Sequence, residues 1–144
     1  MWYHFKIHLE DKGYWAECLE LEGCVTEADT KEKLIQNMEE ALNLYLDEPD
    51  TSNMIFPLPN NKIKGKNIID VPVNPKIAFA MTIRMLRIKK GLTQKETAKL
   101  LGMKNLYSYQ RLESSNKVNP SLTMLNRIKN IFPELKIDEI LISQ

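Results

Sequence analysis

The first 26 residues alternate between apolar and polar positions. Tyr3, Phe5, Ile7 and Leu9 fall on one side and His4, Lys6 and His8 on the other, the period of a half-buried strand with its histidines toward solvent. Asp11-Lys12-Gly13 interrupts the pattern as a turn, and Tyr14 to Leu19 resumes it in a second strand. Glu20-Leu21-Glu22-Gly23 connects to a short third strand, Cys24-Val25-Thr26. Connections this short imply an antiparallel meander. Asp29-Thr30 then offers an N-cap, and Leu34, Met38, Ala41, Leu42 and Tyr45 recur at helical spacing through Leu46. From Asp47 to Lys66 the pattern dissolves, because Pro49, Pro57, Pro59, Asn60-Asn61 and Gly65 do not suit a regular element; the segment 47–66 reads as a linker. Asn67 to Val73 is a last β-rich run, and Pro72, which cannot donate to a ladder, puts it on a sheet edge.

From Lys76 onward the period is helical. Ile77 to Lys90 forms one helix, ended by Gly91. In Thr93-Gln94-Lys95-Glu96 the hydroxyl and the carboxylate each satisfy a free backbone N–H, a capping box for a short helix that closes at Gly102. A third helix runs from about Lys104 to Glu113. Asn119-Pro120-Ser121 opens a fourth, stopped by Pro133, and Ile137 to Ile142 forms a short fifth. The expected fold class is α+β, with an antiparallel sheet and one helix in residues 1–74 and an all-helical domain in residues 75–144.

Charge divides the chain at the same place. Residues 1–74 carry 7 Lys and no Arg against 14 acids, a balance of −7; residues 75–144 carry 9 Lys and 4 Arg against 5 acids, a balance of +8. The basic half is the candidate for nucleic acid. At 144 residues and 43% hydrophobic, the composition excludes a disordered chain. No apolar run reaches the ~20 residues of a bilayer span, and the first ten residues lack the layout of a secretory signal. Cys18 and Cys24 cannot make a disulfide framework, so a reducing cytoplasm is expected, with both thiols acting as small buried hydrophobes.

Leu92-Thr93-Gln94-Lys95-Glu96-Thr97-Ala98-Lys99-Leu100-Leu101-Gly102-Met103 meets the physical needs of a helix-turn-helix. Ala98 allows a close helix crossing, and Gly102 permits the left-handed turn. Together with Leu86 to Gly91 before it and Arg111-Leu112-Glu113 after it, the stretch resembles the Cro/C1-type repressor domain over residues 76–142. In the usual spacing the apolar residue that docks the recognition helix would fall at Ser108. Here Tyr109 takes that place, with Leu112 one turn below, so one residue is inserted after Gly102. Lys104, Asn105, Tyr107, Ser108, Gln110 and Arg111 are the candidates to reach base edges or phosphates of double-stranded operator DNA, with Gln94 against a phosphate.

In the first half, Gly13-Tyr14-Trp15-Ala16, Leu21-Glu22-Gly23-Cys24-Val25-Thr26 and Ala41-Leu42-Asn43-Leu44-Tyr45-Leu46 follow in an order and spacing that resemble the HicB family, the antitoxins of HicA–HicB toxin–antitoxin pairs. The family's second motif is normally preceded by a proline, where this chain has Leu19-Glu20. The resemblance covers residues 1–74. It implies a partial RNase H-like lobe that binds and silences a HicA-like ribonuclease toxin, and a second domain that binds the operon's own promoter as a homodimer or higher homo-oligomer. A stand-alone repressor whose first lobe senses a small effector is the alternative.

Catalysis is not expected. An RNase H-type metal site needs carboxylates converging from the first strand, and Trp2 to Leu9 contains none. His4 and His8 lie ~13 Å apart along a strand, too far to share an ion. No cofactor is therefore expected.

Overall fold

The computed structural model describes residues 1–141, and its strands follow the alternation of the sequence. β1 (Trp2–Glu10), β2 (Gly13–Cys18), β3 (Val25–Ala28) and β4 (Ile68–Pro72) form one antiparallel sheet in the order β3-β2-β1-β4. β4 lies on an edge, with Pro72 opposite Trp2, as a residue without an N–H requires. α1 (Lys31–Leu46) is capped by the Thr30 hydroxyl, which accepts from the Lys33 N–H. Its buried stripe of Leu34, Met38, Leu42 and Leu46 joins Tyr3, Phe5, Ala16 and Val71 in one apolar cluster. Each of the leucine, methionine, valine and phenylalanine side chains among them contributes roughly 1.5–3 kcal/mol by leaving water.

Two local expectations need correction. The third strand begins at Val25, because the Cys24 N–H turns back to the Leu21 carbonyl (3.2 Å) and its own carbonyl accepts from Cys18 N–H (2.9 Å). His4 does not face solvent; it is 5% exposed. β1 is an inner strand, and the loop after β2 folds back over it. Glu20 accepts from the His4 N–H (2.9 Å), meets His4 Nδ1 at 2.6 Å and accepts from the Asn60 N–H (3.1 Å). Alternation fixes the side of a sheet on which a residue points, but a loop closing over that side leaves no periodic trace. His8 is half-buried and stacks on Trp15, with ring centroids 4.0 Å apart. Cys18 and Cys24 are free and buried; the hydrogen bond with Cys24, and then burial, push the Cys18 thiol up.

The second half opens with α2 (Pro75–Lys89), where Asn74 caps and Pro75 occupies the first turn. Ten consecutive residues of this helix, Ala78 to Arg87, are buried. A helix covered on every side is an interior helix, and α2 makes the apolar clusters of the two halves continuous. α3 (Gln94–Leu100), α4 (Leu106–Gln110), a 3-10 turn (Arg111–Glu113), α5 (Leu122–Ile131) and α6 (Ile137–Ile140) follow. The expected third helix thus starts two residues later than Lys104, because the Asn105 side chain takes the N-cap by accepting from the Ser108 N–H at 2.8 Å. Ile142, expected at the end of the last helix, lies outside the described residues. The segment 47–66 links α1 to β4 without regular structure, yet it is pinned: Phe56 is buried and Tyr3 donates to the Pro57 carbonyl at 2.7 Å. Among the described residues no helix is long and apolar enough to cross a membrane.

Candidate nucleic-acid interface

The capping box read from the sequence is formed. Thr93 Oγ1 accepts from the Glu96 N–H (3.0 Å), and Glu96 Oε1 accepts from the Thr93 N–H (3.2 Å). Gly102 adopts φ +70°, where a side chain would be strained, and so reverses the chain between α3 and α4. Ala98 is 4% exposed at the crossing. Tyr109 and Leu112 are buried and dock the recognition segment, the two positions that the shifted spacing assigns to that task.

Beneath this segment lies a polar hub that the sequence reading did not single out. Glu113, fully buried, accepts from Arg87 Nε (2.6 Å) and Arg87 NH2 (3.1 Å), and Tyr109 donates its hydroxyl to the same carboxylate. Arg87 also donates to the Leu92 carbonyl (2.9 Å). Arg84, likewise fully buried, donates to the Glu113 carbonyl (3.0 Å), and its Nε stands 3.6 Å from the Glu113 carboxylate. Burial pulls the Arg84 guanidinium down from its usual range against the opposing pull of Glu113, and burial followed by the Glu113 charge pushes the Tyr109 phenol up. The signal was present in the sequence: two arginines three residues apart in an otherwise apolar helix require a buried acid.

The expected contact residues divide into two groups. Lys104, Tyr107 and Arg111 are exposed at the turn and along α4. Asn105 and Ser108 are spent partly on each other, since the Ser108 hydroxyl donates to Asn105 Oδ1 at 2.9 Å. Gln110 is half-buried and donates to Gln94 Oε1 (3.2 Å), while the Gln94 amide donates to the Asp50 carbonyl (2.6 Å) and to Glu113 Oε1 (3.3 Å). Three residues join the surface without having been named in advance. Leu106 is 40% exposed at the start of α4. Lys117 holds its ammonium 5.1 Å from the Tyr107 ring centroid. Asn119 lines a groove of about 300 Å³ with Ser108, Arg111 and Lys117. The segment of Lys117 and Asn119 carries turn residues and no periodicity, so only the folded chain brings these two beside α4.

Exposed cations at Lys104, Arg111 and Lys117 suit phosphate contacts, and Leu106 with Tyr107 offers apolar contact to a thymine methyl. Replacing Arg111 or Lys104 with alanine is expected to weaken DNA binding. A base-reading role costs ~1–3 kcal/mol and relaxes the sequence preference, whereas a phosphate role lowers the salt slope by about one and leaves the preference intact. Salt titrations against duplexes of different sequence separate the two, and affinity unchanged in both variants would mean that α4 does not read DNA.

The helix-turn-helix family matches residues 83–140, which makes the helical half a DNA-binding domain and the chain a DNA-binding regulator. A UPF0150 protein of Helicobacter pylori is 31% identical over 74 residues, 51% of this chain and 92% of that protein. A UPF0150 protein of Synechocystis is 34% identical over 70 residues, 46% of this chain and 89% of that protein. Both relatives are covered almost end to end by about half of this chain, so the chain belongs to the UPF0150 family and carries a helix-turn-helix in addition.

Proposed function

We propose that the protein is the antitoxin of a type II toxin–antitoxin pair. In this reading residues 1–74, with the partial RNase H-like arrangement that the HicB resemblance implies, cover the active face of a small basic HicA-like mRNA-cleaving toxin. Residues 75–144 repress the operon by binding its promoter as a homodimer. The observation that carries the reading is the attachment of an acidic sheet-and-helix half, bearing the HicB-like motifs, to a helix-turn-helix. Complementary charge speeds association with a partner whose own surface attracts RNA. A dimer suits the DNA role because two-fold symmetry matches two half-sites about one helical turn apart.

The chain itself is proposed to have no nuclease activity. The test is co-expression with the product of the neighbouring reading frame. The expected result is a stable complex, growth rescue from that product's toxicity, and no RNA cleavage by the purified chain with magnesium or manganese. Metal-dependent cleavage abolished by Glu17→Gln would overturn it. One observation favours the second reading, an effector-sensing repressor: a cavity of about 380 Å³ between the halves, lined in part by Trp2, Leu58, Met85, Leu86 and Ile140. That reading requires a small ligand to change DNA affinity in the absence of any protein partner.

A further inference from the structure

Four consecutive residues after α1 each meet the helix-turn-helix half. Asp47 Oδ1 accepts from the Ser115 hydroxyl (2.6 Å). The carbonyls of Glu48 (3.5 Å) and Pro49 (3.0 Å) accept from Arg84 NH2, and the carbonyl of Asp50 accepts from the Gln94 amide (2.6 Å). We propose that this strap, residues 47–50, is a working part of the DNA-reading unit, with Arg84 as a positioning residue that joins it to the recognition helix.

Three features carry the assignment. Arg84 is fully buried, and among the described residues of the helical half its guanidinium donates only to the Glu113 carbonyl; the strap supplies its other acceptors. A buried guanidinium missing those acceptors would be held at a large desolvation cost, so the strap is the partner that lets Arg84 stay inside. Second, the strap holds the C-terminal end of the reading segment from two sides. Ser115 follows the 3-10 turn that ends it, while Gln94 receives a hydrogen bond from Gln110 on α4 itself and donates to Glu113. Third, the Gln94 amide is fully occupied by these contacts, which fixes it and Gln110 relative to the exposed Arg111 one position along. The strap lies outside the matched segment 83–140, so a residue of the acidic half sets the geometry of the basic half's reading surface.

The proposal makes a prediction opposite in sign to simple electrostatics. Asp47, Glu48 and Asp50 place acids on the strap, and removing one would tighten binding to any DNA if charge were its only role. The experiment uses the full chain with two probes, a duplex selected by the wild-type protein from a random-sequence pool and an unselected random duplex. Affinity is read by fluorescence anisotropy, and amide exchange by mass spectrometry. Arg84→Met is expected to weaken binding to the selected duplex about tenfold or more while changing the random duplex about twofold or less, since misplacing base contacts costs specificity before it costs phosphate attraction. Amide exchange in residues 47–50 and 106–113 rises together, with β1, β2 and α1 unchanged.

If Arg84→Met does not fold, the Asp47–Ser115 pair decides. Ser115→Ala and Asp47→Ala each weaken the selected duplex by about threefold or more, and Asp47→Asn, which keeps the acceptor, restores it. Tighter binding of both duplexes by Asp47→Ala, equal loss on both duplexes, or selected-duplex affinity unchanged in Ser115→Ala and Asp47→Ala would overturn the proposal. None of these outcomes depends on the chain having a toxin partner.

Discussion

Glu113→Ala is expected to cost about 3–5 kcal/mol of stability and to abolish sequence-specific DNA binding, because the substitution strands Arg87 and Arg84 inside the protein without their common acid. The pair is worth much less than that as a net contribution to folding. The cost comes from leaving charge uncompensated, and among the described residues Arg87 has only the Leu92 carbonyl to fall back on. The same carboxylate fixes the Tyr109 hydroxyl and the Gln94 amide, so its loss loosens the docking residue of the recognition helix and its neighbour on α3 together. Chemical denaturation and anisotropy titrations on one sample measure both effects. Glu113→Gln should fall between the two proteins, since an amide oxygen still accepts from one arginine. A variant that stayed within about 0.5 kcal/mol of wild type, the range of ordinary surface substitutions, would show that water reaches the hub.

The second large effect concerns cutting the chain at the 74/75 boundary. A fragment of residues 1–74 is expected to neutralise the toxin and to lose promoter repression. A fragment of residues 75–144 is expected to give no protection and to bind the promoter about tenfold or more weakly than the whole chain. The reason is physical continuity. Ala78 to Arg87 are buried along the whole of α2, so the fragment exposes part of that surface and leaves Arg84 without the Glu48 and Pro49 carbonyls. Growth rescue and gel-shift assays read the two halves independently. Full-strength binding by residues 75–144 would show that the strap is dispensable.

Much of this was legible in the sequence because the signals are local. A hydroxyl and a carboxylate three residues apart at 93 and 96, a glycine at 102 and a shifted aromatic at 109 each act within one or two turns, and each is where its spacing puts it. The alternation of Tyr3, Phe5 and Ala16 against the sheet is read the same way. Local reading also overreached at the recognition helix, whose first turn belongs to the cap rather than to Lys104, and at His4, which alternation sends to solvent and Glu20 encloses. Arg84 to Pro49, Ser115 to Asp47 and Asn60 to Glu20 were invisible for a different reason. They join residues 35, 68 and 40 positions apart, and no window of sequence contains both partners.

Interior placement of α2 also has a thermodynamic consequence. A helix whose side chains complete the apolar core of both halves cannot leave one half while remaining in the other, so in the intact chain the two halves unfold together. Calorimetric and van't Hoff enthalpies for the intact chain should coincide in a single endotherm. Loosening the sheet therefore lowers the melting temperature of the recognition helix that lies on the far side of α2.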